Sequence, residues 1–315
     1  VCAFLIIVLC AAPAPDRTVA GGLPAPYLRE GAGARPLGQG GAFTALADDA
    51  NAVVWNPAAL AGLREPGLVS HTAWLALERS WSFVGYGATD QGFGYGLGWM
   101  HFSAGSELEA REFNRPEPDQ IFADHQHMFL ASGGMELPAG ICLGASVKFL
   151  SHGLGDDSAS GWGWDLAARR VAADWSFGLM LQDAHTYLDW SDDVVERLPS
   201  VLRGGAAWTQ EALGVRAALE GSLLLRQPGL EIERVGWGLG LEYTVVDFMR
   251  VRAGLADGRP GAGLGARTPI GEGFWLTLDY AWLQDRFPDS GGIHMLSLGV
   301  IILPADQNEP DAETR

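Results

Sequence analysis

Nine charged side chains fall at alternating positions within otherwise apolar stretches: Lys148, Asp174, Arg216, Glu220, Arg234, Glu242, Arg250, Arg252 and Asp279. On a strand, residues two apart share a face, so each would project from the side opposite its apolar neighbours. Two kinds of chemistry suit that arrangement. The charges can pair with one another, or Arg216, Arg234, Arg250 and Arg252 can form a basic ladder, flanked by Glu220 and Glu242, that holds an anionic ligand. Structural ion pairing is the plainer reading. Other groupings carry less. His125 and His127 stand two apart beside Asp124, where a surface pair is a simpler reading than a metal site. Asp192, Asp193 and Glu196 lack the ligand spacing of a calcium loop. Gly261, Gly263 and Gly265 are not followed by a helix, as a phosphate loop would be. Neither a Gly-x-Ser-x-Gly elbow nor a metalloprotease His-Glu motif occurs. The expectation is therefore a protein without catalytic residues, metal or cofactor, and not an enzyme.

The elements that must position these charges are strands. Phe93, Tyr95, Leu97 and Trp99 alternate with glycines, and Phe274, Leu276, Leu278, Tyr280 and Trp282 alternate with Thr277, Asp279 and Ala281. Val171, Ala173, Trp175, Phe177, Leu179 and Leu181 oppose Asp174, Ser176, Gly178 and Gln182, and Leu213–Arg226 behaves alike. A helix would scatter these apolar residues around its circumference. Fourteen such segments are read, at 68–77, 80–88, 92–103, 124–137, 140–152, 160–168, 171–182, 200–209, 213–226, 231–243, 247–257, 260–267, 272–285 and 292–303. Every second connection is tight, as at Leu137–Gly140 and Arg169–Arg170. The longest, Ala104–Ala123, Gly153–Ala159, Asp183–Pro199 and Arg286–Gly291, fall in the other set.

An even strand number with short turns on one side is the pattern of an all-β, antiparallel transmembrane β-barrel of about 14 strands. Both termini are expected on the short-turn side. The apolar face would meet outer-membrane lipid, with aromatic girdles that include Trp162, Trp164, Phe274, Tyr280 and Trp282. The charged face would line the lumen. Composition agrees: of 315 residues, 43 are glycine and 12 tryptophan, 48% are hydrophobic and only 19% charged, which argues against disorder. A net charge of -17 argues against a nucleic-acid partner. No apolar run reaches the length of a transmembrane helix.

Val1–Ala12 is almost wholly apolar and is followed by a small-x-small site at Thr18-Val19-Ala20, so residues 1–20 read as a signal peptide. Large residues precede Cys10 where lipidation wants small ones. With the signal removed only Cys142 remains, and no internal disulfide is expected.

Gly31–Leu63 is rich in small residues and poorly suited to lipid contact. It resembles the N-terminal signature of FadL-type and PorV/PorQ-type outer-membrane proteins. The carriers of the resemblance are Ala34-Arg35-Pro36-Leu37-Gly38, Gly40-Gly41-Ala42-Phe43, Ala47-Asp48-Asp49-Ala50 and Trp55-Asn56-Pro57-Ala58-Ala59-Leu60. The resemblance implies a small hatch inside the lumen, spanning 21–66, with Asp48, Asp49, Trp55, Asn56, Pro57 and Ala58 as its motif residues. The barrel would then run over 67–303 and a polar periplasmic tail over 304–315. The shortness of the chain places it nearer the compact PorV/PorQ-like branch, and the barrel-assembly machinery is an expected partner during biogenesis, although the last strand is followed by a polar tail in place of a terminal phenylalanine. Two functions follow from the resemblance: passage of small hydrophobic molecules through a plugged lumen, or docking of secreted proteins on loops 104–123 and 183–199.

Overall fold

Strands form where small or polar residues alternate with bulky apolar ones, because such a chain can present one chemistry on each face. The computed structural model describes residues 31–75, 79–110, 120–191, 194–225, 235–285 and 291–303. The expected signal peptide (1–20), the first part of the expected hatch (21–30), the expected tail (304–315), Arg234 and the Asp192–Asp193 pair lie outside the described residues. Sixteen strands are present among those described. The first eight are β1 (Gly67–Trp74), β2 (Ser80–Asp90), β3 (Phe93–Ala110), β4 (Gln120–Leu137), β5 (Ile141–Leu154), β6 (Asp157–Ala172), β7 (Trp175–Gln182) and β8 (Thr186–Trp190). The rest are β9 (Val195–Leu198), β10 (Val201–Gln210), β11 (Val215–Leu224), β12 (Val235–Val246), β13 (Met249–Ala256), β14 (Arg259–Pro269), β15 (Phe274–Leu283) and β16 (Ile293–Ile302).

All but β8 and β9 join in one antiparallel barrel of fourteen strands. It closes by pairing β1 with β16, from Gly67↔Ile301 to Trp74↔His294. Closure pairs every strand of the wall on both sides. At one end all six connections, β2–β3, β4–β5, β6–β7, β10–β11, β12–β13 and β14–β15, are short; at the other, β5–β6 and β13–β14 turn as tightly, but the longer connections lie there. Gly67 and Ile302 both lie at that short-turn end.

Four expectations need correction. Arg169–Arg170 is not a turn: β6 continues through it, and the chain reverses at Ala173-Asp174, where Ala173 takes φ 51°. Asp174 is therefore an exposed turn residue beside Gln210, not a lumen residue. Gly153–Ala159 is not a long loop either, since β5 and β6 pair as far as Leu154↔Asp157. Asp183–Pro199 contains the hairpin β8–β9, which hangs from β6 by Ala159↔Trp190. That hairpin folds against the inner wall. A Cβ on Gly161 or Gly163, both inward-facing, would overlap the Tyr187 carbonyl or the Thr186 side chain.

The outer face is apolar. Trp99, Phe129, Phe149 and Trp162 lie directly opposite one another across β3, β4, β5 and β6, a row of aromatics at one level of the wall. Trp164, Trp175, Phe93, Phe274 and Tyr280 are also exposed on this face. The buried face holds glycine, serine, charge and, toward the long-connection end, large apolar side chains.

Candidate functional site

The barrel interior is filled from the short-turn end by residues 31–66. Two short helices, α1 (Ala34–Gly38) and α2 (Ala52–Trp55), and a 3-10 turn at Pro57–Gly62 carry this segment. α1 packs on β13–β16 and the 3-10 turn on β2–β6, so the segment spans the bore. Glycines make the fit possible: a Cβ on Gly94, Gly144 or Gly254 would overlap the backbone of Leu60, Ala58 or Gln39. Asn56 is wholly buried and forms the corner. Its Oδ1 accepts from the Ala58 amide at 3.1 Å and its Nδ2 donates to the Thr44 carbonyl at 2.8 Å. Pro57 begins the turn where its missing amide is not needed. Trp55 anchors the segment by donating its indole N–H to the Ala32 carbonyl at 2.7 Å, and its ring meets Phe43 edge-on.

Ion pairs tie this segment to the wall. Glu242 on β12 accepts from Arg35 Nε at 3.0 Å and from Arg252 Nε at 2.6 Å. Arg252 also donates to Asp279 at 2.6 Å. Arg35 reaches Asp48 at 2.5 Å and Asp49 at 2.9 Å, while Arg216 donates to Asp48 at 2.6 Å. Glu220 on β11 accepts the Phe43 and Thr44 amides at 3.0 and 2.9 Å and pairs with Arg203 at 3.3 Å. Arg250 lies on β13 among these charges, but no hydrogen bond or ion pair accompanies it among the described residues. The charged face thus forms one network with the N-terminal segment rather than a ladder open to an anion. Lys148 stands apart, between Asp165 at 2.7 Å and Asp183 at 2.5 Å. The Asp183 amide in turn donates to Asp165 at 2.8 Å.

Asp48 and Asp49 keep 35% and 31% of their side chains exposed, yet desolvation by the surrounding protein still works against both carboxylates, and unequally. At Asp48 the Arg35 and Arg216 guanidiniums overcome it and hold the carboxyl well below the usual carboxylate range. At Asp49 burial and the adjacent Asp48 charge keep the carboxyl above its ordinary value despite Arg35. A lowered folded value means that Asp48 stabilises the fold fully above about pH 4 and loses that contribution as pH falls through the lowered value. The raised value gives Asp49 the opposite sign, so its charge opposes folding at neutral pH. Asp48→Asn is therefore expected to lower the urea midpoint at pH 7, read by tryptophan fluorescence, and Asp49→Asn to leave it unchanged or raise it. The Asp48→Asn deficit should shrink only below about pH 4.

Above the segment, toward the long connections, the interior turns apolar. Trp81, Phe83, Met100, Phe102, Met128, Leu130, Leu150, Leu283, Ile293 and Met295 are buried there, joined by Leu188 and Leu198 of the inward hairpin. On the outer face, His125 and His127 are joined by His101, with ring centroids 5.6 and 4.6 Å from it. These rings stack rather than converge, and no metal-holding group of His, Cys, Asp and Glu occurs among the described residues. Glu196 accepts the Trp190 indole N–H at 3.3 Å. The glycines 261, 263 and 265 lie on β14, facing in.

Sequence reasoning singled out most of the wall charges but missed Arg203, Asp165 and Asp183, and it named Arg35 only as part of the signature, without a role. A signal for Arg35 was present: it is the lone charged residue between Glu30 and Asp48.

Comparison with known proteins agrees with this architecture. Residues 25–166 match a family described as "Uncharacterised protein family (UPF0164)". No curated protein sequence matches the chain. Among solved structures, the toluene transporter TbuX of Ralstonia pickettii is similar, with a TM-score of 0.58 and 13% identity over 87% of this chain and 97% of that one. The CymD monoaromatic hydrocarbon channel gives 0.59 and 13% over 87% and 98%. A FadL homologue of Pseudomonas aeruginosa gives 0.56 and 12% over 85% and 97%. At such identities the likeness is one of fold.

Proposed function

We propose that this protein is a bacterial outer-membrane barrel that passes small hydrophobic molecules, with residues 31–66 serving as a hatch in its lumen. In this reading residues 1–20 are a signal peptide, 67–303 the barrel and 304–315 a polar periplasmic tail. The carrying observation is the way the interior is filled. A separate segment closes the bore through ion pairs and backbone hydrogen bonds, and an apolar layer lies directly above it. Contacts of that kind can be exchanged without unmaking the wall. The apolar outer face with its aromatic row supports a membrane setting. Similarity in fold to toluene and monoaromatic hydrocarbon channels supports the substrate class. Docking of secreted proteins is favoured less, because β8–β9 lies against the inner wall instead of projecting as a loop.

Deletion of residues 31–63 tests the proposal. The deleted barrel, shown to be folded by its circular dichroism, should conduct ions in a planar bilayer and admit labelled toluene faster than the intact protein. Unchanged conductance and uptake in a correctly folded deletion would overturn the gated conduit and leave the docking role.

A further inference from the structure

His71 lies on the inward face of β1, at 2% exposure, and one of its ring nitrogens has no partner. Its Nε2 accepts the indole N–H of Trp81 at 3.0 Å. An indole nitrogen can only donate, so Nε2 must offer a lone pair, and the ring proton of the neutral imidazole sits on Nδ1. Nδ1 is buried and lacks a hydrogen-bond acceptor. The ring cannot turn to find one without losing the Trp81 bond and its stack on Phe83, whose centroid is 5.3 Å away. Buried donors without acceptors are rare and costly, and each asks for a reason.

The position of His71 supplies one. Ser297, directly opposite on β16, accepts the Ala34 amide with its Oγ at 2.8 Å, and so marks the top of the N-terminal segment. Phe83, opposite on β2, belongs to the apolar layer above. His71 thus stands where the segment ends and the layer begins. Three methionines, Met100, Met128 and Met295, are buried in that layer. Unbranched and polarizable, they can repack around a guest as branched side chains cannot.

We infer that this layer binds an uncharged apolar molecule carrying one carbonyl oxygen, which accepts the His71 Nδ1–H. The inference rests on the transport reading and adds the chemistry of the passenger. A carboxylate would be a poor guest, because the neutral His71 ring that accepts from Trp81 offers it one hydrogen bond and no counter-charge. A pure hydrocarbon would enter the layer but leave Nδ1–H unsatisfied.

The test uses the full chain in lipid nanodiscs with nonanone and nonane as probes. In protein labelled with nitrogen-15 at histidine, nonanone should shift the His71 Nδ1–H proton resonance downfield, and nonane should not. His71→Phe keeps a ring over Phe83 but removes the donor; it should weaken nonanone binding about tenfold and leave nonane unchanged. Equal binding of the two probes by the native protein would overturn the inference, as would an unmoved resonance (the sign of a resident water on Nδ1) or binding of neither. Should His71→Phe fail to fold, the resonance on native protein still decides. The two readings fail separately. If deletion of residues 31–63 opens the barrel to toluene while the probes bind alike, transport stands and the carbonyl site falls. If the deletion changes nothing yet nonanone alone moves the resonance, the site stands and the conduit falls.

Discussion

Replacing Lys148 with methionine is expected to destabilise the barrel by about 3–5 kcal/mol, because it removes the cation from a buried cluster and strands two carboxylates. Asp165 and Asp183 are each almost fully buried, and each lies within hydrogen-bond distance of the ammonium. Without it one of them must protonate or draw in water. The cluster also begins the inward hairpin, since Asp183 opens the β7–β8 connection and its carbonyl accepts the Ser200 hydroxyl at 2.7 Å. Loss of Lys148 should therefore loosen β8–β9 from the wall as well as lower the urea midpoint. A second change, Asp165→Asn, should recover part of the loss in the double variant, since one of the two competing charges is then gone. If Lys148→Met unfolds at the native urea concentration, the cluster contributes nothing to stability and this account of it is wrong.

Glu242→Ala should have an effect of similar size and a different outcome. This carboxylate is shared by Arg35 of the N-terminal segment and Arg252 of the wall, with Arg216 at 3.8 Å. Removing it leaves like-charged guanidiniums buried together, again about 3–5 kcal/mol. Here the strain can be relieved without unfolding the barrel, by letting Arg35 and its segment leave the wall. The expected result is a barrel that keeps its strand signal by circular dichroism yet shows ion conductance that the native protein lacks. Limited proteolysis should cut within residues 31–66 of the variant first. A double-mutant cycle with Arg35→Met would isolate the coupling across the pair. Full strand content with native conductance and native stability would show that other contacts, such as Glu220 with the Phe43 and Thr44 amides, hold the segment unaided.

The wall was legible in the sequence because each strand declares its faces locally. Phe93, Tyr95, Leu97 and Trp99 against four glycines needs no tertiary information to be read. Reversal points were harder where no glycine signals a positive φ. The arginine pair at 169–170 looks polar enough for a turn, yet the chain turns three residues later at Ala173, which takes the left-handed conformation itself. The hairpin β8–β9 was hidden by its length, since five and four residues carry too little alternation to stand out. Which charges would face inward could be read from parity. Their partners could not, because Arg35 and Glu242 are 207 residues apart and only the closed barrel brings them together. His71 gave no sign, being the middle of three polar residues in a short strand, and its meaning depends on a tryptophan across the ladder.

The N-terminal segment also touches both ends of the chain's closure. Its α1 helix rests on strands made last, β13–β16, and the Ala34 amide bonds to Ser297 on the final strand, 263 residues away. Its 3-10 turn rests on strands made early, β2–β6. Contacts of such long range are paid for late in folding, when loop closure has already been achieved. A segment locked behind bulky wall residues would be difficult to thread into a finished ring. The simplest order of events has residues 31–66 lying on the early strands while the sheet is still open, and the late strands wrapping over them before β16 meets β1. The segment would then act as a mandrel for the cylinder, and its removal should slow the zippering of the seam even where the finished barrel is stable.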